Sequence, residues 1–203
     1  MESKKRVGIM GGTFNPIHYG HLRLAQEAQE QVLLDKVLFM PSGNSYMKKN
    51  VLDTQKRVEM TALAIKQYSK FELSLIEAQK TGNTYTCETL QYLTRTNPDT
   101  QYYFIIGADS LFQIEQWKSP EQIFQFSMLI CAVRDDYDFD IIQKKGEALA
   151  EFGADIIYLN TPKWDISSTD IRAKVKSGFS IHGLVPPEVV HYIEQEHLYY
   201  EED

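Results

Sequence analysis

The chain has 203 residues, of which 43% are hydrophobic, and it carries a formal net charge of −7. This length and apolar content support one sizeable core, so we expect a single domain spanning residues 1–203. The acidic balance, with a pI near 5.3, argues against a broad nucleic-acid-binding surface, which needs clustered lysines and arginines. Two widely separated cysteines, and the lack of a signal sequence or a membrane-length apolar stretch, predict a cytoplasmic protein with no membrane association.

Apolar runs typical of strands alternate with helical patterns along the chain. In chain order, the pattern predicts a strand at 6–10, helix 19–33, strand 36–40, helix 54–68, strand 71–75, helix 86–96, strand 102–107, a helical stretch 110–126, strand 127–133, helix 141–152, strand 155–159, and helices 168–176 and 186–196. Strands that alternate with helices pair in parallel through right-handed crossovers. We therefore predict an α/β fold with a Rossmann-like, doubly wound parallel sheet.

The first predicted strand runs directly into a glycine turn and a helix start. Gly11 and Gly12 can turn tightly and present backbone N–H groups to an anion. The following helix directs its positive N-terminal end to the same point. His18 and His21 flank this point, and histidines three positions apart lie on one side of a helical turn. The segment therefore predicts a phosphate-binding site.

Two alternatives for the histidines stay open on local sequence. A histidine beside an apolar helix is often a structural residue, and His-x-x-His is also half of a zinc site. Zinc needs three or four ligands, and the chain has no second cluster of Cys, His or carboxylates at metal spacing, so we predict no protein-bound metal. The loop also lacks the glycine spacing of the P-loop and of the dinucleotide fingerprint.

The run Gly11-Gly12-Thr13-Phe14-Asn15-Pro16, followed by His18-x-Gly20-His21, resembles the signature of the HxGH nucleotidylyltransferase superfamily, which is related to class I aminoacyl-tRNA synthetases. The resemblance implies the nucleotidylyltransferase type of doubly wound sheet. It further implies that ATP is bound by the backbone of Gly11, Gly12, Thr13 and Phe14. The two histidines would then be catalytic, stabilising charge on the transferred phosphate.

A second motif near the C-terminal end reads Asp-Ile-Ser-Ser-Thr-Asp-Ile-Arg. Ser167 opens a Ser-x-x-Asp capping pattern, so exposed N–H groups and the hydroxyls of Ser168 and Thr169 can meet phosphate oxygens or a base edge. Arg172, one turn further, can reach the β- and γ-phosphates. Taken alone, the motif also fits an ordinary capped surface helix.

Read together with the first loop, this motif resembles the distal motif of the bacterial nicotinate-nucleotide adenylyltransferases, and the likeness covers nearly the whole chain. It implies that ATP is bound by Ser167, Ser168 and Thr169. It also implies that Arg172 is catalytic. Gly107 and Asp109 match the Gly-x-Asp motif that holds the adenosine portion. Local sequence fits Asp109 equally well as the N-cap of the next helix.

The same resemblance assigns the second substrate. Tyr85 and Thr86 match the loop that receives a carboxylate through a backbone N–H and a hydroxyl, although Thr86 also fits an ordinary helix start. Trp117 matches the tryptophan that stacks on the nicotinate ring, and without the resemblance it fits core packing. Backbone donors favour a carboxylate over a carboxamide, so the acid is the expected acceptor.

One loop departs from the family pattern. Where the family often has Pro-Pro-His-Lys, this chain has Pro-Ser-Gly-Asn-Ser-Tyr-Met-Lys, in which the lysine is retained as Lys48 but the Pro-Pro pair and the histidine are not. The resemblance implies that Lys48 contacts the mononucleotide phosphate. Lys49 and Arg57 are the other available cations, although Arg57, on the following helix, is more conservatively interpreted as a solvated or capping charge.

The resemblance implies direct adenylyl transfer from ATP to nicotinate mononucleotide, with Mg²⁺ carried on ATP. The expected partners are these two substrates, with no nucleic acid and no membrane, and both a monomer and a homo-oligomer fit. Two alternatives remain: a different acceptor, namely nicotinamide mononucleotide or phosphopantetheine, and a non-catalytic ATP-binding sensor. Thr86 with Trp117 argues against the first, and the intact histidine pair with Arg172 argues against the second.

Overall fold

The computed structural model describes residues 4–43, 51–133, 139–162 and 164–200. Its strands are β1 Lys5–Gly12, β2 Lys36–Pro41, β3 Phe71–Leu73, β4 Thr100–Gly107, β5 Met128–Val133 and β6 Ile156–Asn160. They form a parallel sheet in the order β3-β2-β1-β4-β5-β6. This order is that of a doubly wound fold, so the predicted Rossmann-like architecture is confirmed.

Helices cover both faces of the sheet. They are α1 Tyr19–Gln31, α2 Thr54–Ile65, α3 Thr86–Thr96, α4 Ala108–Gln113, a short 3₁₀ turn Ile114–Gln116, α5 Pro120–Phe126, α6 Phe139–Ala150, α7 Ser168–Lys176 and α8 Pro187–Gln195. Among the described ranges, none of these helices combines the length and apolar character that crossing a bilayer requires.

Strand β4 shows how the sequence builds two core layers. Tyr103 and Ile105 pack into the layer that also contains residues of α1, α2 and α8, whereas Tyr102, Phe104 and Ile106 pack into the layer under α3, α5 and α6. Successive side chains of a strand point to opposite faces, so a strand covered on both sides is continuously apolar. This explains the uninterrupted apolar run in the sequence.

The central strands β1 and β4 lie side by side. The strand that follows β1 in sequence, β2, lies toward one edge of the sheet, and the strand that follows β4, β5, lies toward the other. The carboxyl ends of β1 and β4, Gly12 and Gly107, therefore flank the crevice in which doubly wound folds bind ligands.

The predicted helical stretch 110–126 is wrong in one respect, because the structure breaks it around Trp117. Ser119 has a left-handed backbone with φ 48°, and Pro120 begins α5. A residue before proline is disfavoured in the right-handed helical region, so a continuous helix cannot pass this point. The break leaves Trp117 in an extended conformation at the end of the 3₁₀ turn.

Candidate active site

A cleft of about 780 Å³ opens at the carboxyl ends of β1 and β4. Most of the site residues predicted from the sequence line it. They are Gly11, Gly12, Thr13, Phe14, His21, Tyr85, Thr86, Gly107, Asp109, Trp117, Ser168, Thr169 and Arg172.

Three predicted site residues are not among those lining the cleft. His18 is buried, with 7% of its surface exposed, and lies against His21. Ser167 caps α7 and accepts a hydrogen bond from the Asp170 N–H at 3.1 Å. Lys48 lies outside the described residues.

The two motifs lie against each other although they are far apart in sequence. We call residues 11–16 the phosphate loop. The Ser168 hydroxyl donates to the Pro16 carbonyl at 2.9 Å, and Arg172 Nη1 donates to the Asn15 carbonyl at 2.8 Å. The N-terminus of α7 and the phosphate loop therefore share one cleft wall, and both present backbone N–H groups of the kind that bind phosphate.

The histidine pair is ordered by its own hydrogen bonding and stacking. The His18 backbone N–H donates to His21 Nδ1 at 3.3 Å, and the two rings stack with centroids 3.7 Å apart. Phe14 meets the His21 ring edge-on at 5.1 Å. Because Nδ1 is an acceptor, this hydrogen-bond pattern assigns the proton of the neutral His21 ring to Nε2. Nε2 is thus the ring nitrogen that can donate a hydrogen bond.

Gly20 makes room for the His18 ring. A Cβ at this position would lie 3.0 Å from both Cε1 and Nδ1 of His18. The glycine of His-x-Gly-His therefore has a steric explanation within the protein itself.

We expect Gly20→Ala to lower kcat about tenfold, because the displaced His18 ring disturbs the stacked His21. Stability should be unchanged or slightly higher, since alanine is a better helix former than glycine by up to about 1 kcal/mol. Steady-state kinetics and thermal melting measure the two effects. Gln26→Ala, on the exposed face of the same helix, is the control. Full activity in Gly20→Ala would contradict the steric explanation.

The start of α3 forms another wall of the cleft. Tyr85 is the N-cap residue and Thr86 is the first helical residue. The Tyr85 side chain accepts no hydrogen bond from the N–H groups of the first turn. Lys118 Nζ lies 4.0 Å from the centroid of the Tyr85 ring, and it pairs with Glu88 at 2.7 Å. This wall therefore combines backbone donors with a nearby positive charge.

Trp117 lies beside this wall. Its ring meets Phe104 edge-on with centroids 6.0 Å apart. Its indole Nε1 is buried and donates to no acceptor among the residues that the structure describes. Because Trp117 also lines the cleft, it can present an aromatic face to a bound ring.

The capping alternative for Asp109 is wrong. The N-cap of α4 is Gly107, and Asp109 is an exposed residue of the first turn that lines the cleft. A Cβ at Gly107 would meet no atom within 4 Å, so packing within the protein does not require glycine there. Instead, the missing side chain keeps this part of the cleft open.

The interpretation of Arg57 as a solvated or capping charge is also wrong, since only 1% of its surface is exposed. Its guanidinium donates to the Thr13 carbonyl at 2.7 Å, behind the phosphate loop. The sequence held a signal, because Arg57, Thr61 and Ile65 follow the spacing of the buried face of α2.

Sequence reasoning missed Glu77, a carboxyl that lines the cleft near the start of α3. It accepts a hydrogen bond from the Thr89 hydroxyl at 2.8 Å, and burial raises the pKa of this carboxyl. No local pattern marks this residue. Within the described ranges, no three His, Cys, Asp or Glu side chains are grouped as a metal site requires.

The fold and the cleft define a nucleotidyltransferase. Residues 9–174 match the cytidylyltransferase-like family, to which the chain belongs. A Lachnoclostridium phytofermentans relative named "Probable nicotinate-nucleotide adenylyltransferase" is 43% identical over 93% of this chain and 96% of its own length. A Clostridium botulinum relative with the same name is 41% identical over 98% and 100%. Within the wider family, the chain is thus a member of the nicotinate-nucleotide adenylyltransferases.

Solved structures agree on the fold. Nicotinic acid mononucleotide adenylyltransferase of Plasmodium falciparum, complexed with NaAD, superimposes with a TM-score of 0.79 at 21% identity, over 97% of this chain and 98% of that one. The same enzyme complexed with APC gives a TM-score of 0.77 at 21% identity, with the same coverage.

Proposed function

We propose that this chain transfers the adenylyl group of ATP to nicotinate mononucleotide, forming nicotinate adenine dinucleotide and pyrophosphate in NAD biosynthesis. The observation that carries the proposal is the direct contact of Ser168 and Arg172 with the phosphate loop in one cleft. The names of the curated relatives support the same activity.

ATP occupies the side of the cleft between β1, β4 and α7. The phosphate loop and the first turn of α7 offer N–H groups to the triphosphate, and Arg172 binds its terminal phosphates. The adenosine lies over Gly107, near Asp109. Mg²⁺ enters as part of MgATP, because it commonly binds phosphates with few protein ligands.

Nicotinate mononucleotide occupies the side formed by α3 and Trp117. Its carboxylate meets the N–H groups and hydroxyl at Tyr85 and Thr86, and its ring stacks on Trp117. A carboxamide would point an NH₂ group at donors, which leaves both unsatisfied and disfavours the amide.

In the reaction, an oxygen of the acceptor 5′-phosphate attacks the α-phosphorus of ATP in line. A new P–O bond forms between this oxygen and the α-phosphorus. The bond from the α-phosphorus to the oxygen that bridges the α- and β-phosphates breaks, and pyrophosphate leaves with the electron pair. The nucleophile is already an anion, so catalysis consists of alignment and charge stabilisation. His21 Nε2, supported by His18, stabilises charge on the α and bridging oxygens. Thr13 positions the acceptor phosphate.

Pyrophosphate release from purified protein with MgATP tests this proposal. The acceptor panel is nicotinate mononucleotide, nicotinamide mononucleotide, phosphopantetheine and no acceptor. We expect release chiefly with the first compound. Activity with only one of the other acceptors would show that nicotinate mononucleotide is not the substrate. ATP binding without pyrophosphate release for any acceptor would indicate a non-catalytic sensor.

We expect Lys118→Met to reduce the preference for acid over amide about threefold, the scale of one exposed charge interaction. The reason is that Lys118 lines the cleft beside Tyr85 and adds positive potential near the carboxylate. Lys80→Met is the matched control, because Lys80 also pairs with Glu88 but is not among the cleft residues. The ratio of kcat/KM for the two mononucleotides at low salt is the measurement. Equal ratios in both variants would rule out this role.

A further inference from the structure

Arg57 is a buried cation behind the phosphate loop. Its Nη1 donates to the Thr13 carbonyl at 2.7 Å, and its Nη2 donates to the Gly43 carbonyl at 3.3 Å. Its Nε donates to the Leu52 carbonyl at 2.9 Å, and Nη2 also donates to the Thr54 hydroxyl at 2.9 Å. One guanidinium therefore joins the phosphate loop to both the end of β2 and the start of α2.

The charge of Arg57 has no close carboxylate partner among the described residues. Tyr199 and Asp53 interact favourably with the charged guanidinium, and Asp53 uses its carboxylate to cap α2 through the Gln55 N–H. Burial lowers the pKa of Arg57, as expected for a charge removed from water. For packing alone, an apolar residue of similar volume would cost less than a buried charge. The contacts with backbone carbonyls are thus the feature that needs an explanation.

The orientation of the Thr13–Phe14 peptide explains why a buried arginine contacts the Thr13 carbonyl. In a trans peptide, the C=O and the following N–H point in opposite directions. The Thr13 carbonyl points to Arg57 in the interior, so the Phe14 N–H points to the opposite side, where Thr13 and Phe14 line the cleft. Phe14 has φ 50°, a backbone conformation that non-glycine residues adopt at a cost. Within the described ranges, its N–H donates to no backbone carbonyl.

We propose that Arg57 is a positioning residue for adenylyl transfer. It holds the Thr13 carbonyl away from the cleft, so that the Phe14 N–H meets a phosphate oxygen of the reacting nucleotides. Its side chain does not line the cleft and acts through this peptide. This inference rests on the proposed function.

Arg57→Lys is the principal test, because it keeps a positive charge but loses the planar fork that reaches several carbonyls. We expect kcat/KM for ATP to fall about tenfold or more, the scale of a misaligned catalytic donor. Met60→Ala is the control, since Met60 is fully buried on the same helix and its truncation weakens the fold without removing a hydrogen bond to the phosphate loop. Both are assayed well below their melting temperatures, where a variant that is only destabilised stays folded and active.

The proposal is overturned if Arg57→Lys keeps wild-type kcat/KM, or if Met60→Ala loses as much. Should Arg57→Lys not fold, Thr54→Val decides, because it removes an acceptor that orients Nη2 while keeping the side-chain shape. We then expect kcat/KM to fall about threefold, as for a slightly displaced donor, and the melting temperature to fall by no more than the loss of one hydrogen bond requires; unchanged kinetics would overturn the inference. Wild-type inactivity with nicotinate mononucleotide would instead refute the proposed function.

Discussion

We expect His21→Ala to lower kcat by about 100-fold or more, with KM changed far less, because the lost donor acts on charge that develops in the transition state. His21 lines the cleft, and its Nδ1 accepts from the His18 N–H, so Nε2 carries the proton of the neutral ring. Steady-state kinetics at saturating MgATP and acceptor measure the effect. Thermal melting reports the smaller loss from the weakened start of α1.

Two conservative variants separate the roles of the two ring nitrogens. His21→Gln places an amide N–H near the position of Nε2, whereas His21→Asn places its polar group near Nδ1. We expect the glutamine variant to retain more activity and the asparagine variant more stability. The reverse order of activities would contradict the assignment of Nε2 as the catalytic donor.

Arg172→Met should lower kcat/KM for ATP by about 100-fold, since it removes a charged donor from the terminal phosphates. It also frees the Asn15 carbonyl, which Arg172 Nη1 holds at 2.8 Å. Arg172→Lys should be intermediate, because a lysine ammonium keeps the charge but cannot form the same fork.

Lys174→Met is the matched control for this effect. Lys174 lies on the same helix but is exposed and does not line the cleft. We expect near-normal kinetics in that variant. Equal losses in the arginine and lysine variants would mean that only the net charge of α7 matters, and Arg172 would lose its assigned role.

Helix ends were predictable where short-range signals fix them. Both α3 and α7 begin and end at the predicted residues. For α7, Ser167 caps the start and Gly178 follows the end with φ 71°. The division at Ser119–Pro120 was missed because the apolar periodicity of the surrounding residues outweighed the proline signal, which was present in the sequence.

The site was predictable only in part. Motif residues identified the phosphate loop and the start of α7, but sequence spacing alone cannot show that the Ser168 hydroxyl and the Pro16 carbonyl meet. Arg57 was misinterpreted because a lone arginine on a helix is usually solvated. Its burial depends on backbone carbonyls elsewhere in the chain, such as that of Thr13.

The most direct measurement follows the α-phosphate of labelled ATP through a single turnover, with enzyme in excess and nicotinate mononucleotide present. If the cleft aligns both substrates for direct transfer, all the label passes to the dinucleotide, with an equal amount of pyrophosphate and none on the protein. Label that remains on the denatured protein would show a covalent adenylyl-enzyme, and therefore a protein nucleophile in place of direct transfer. Label released as AMP, or no transfer at all, would contradict the central claim.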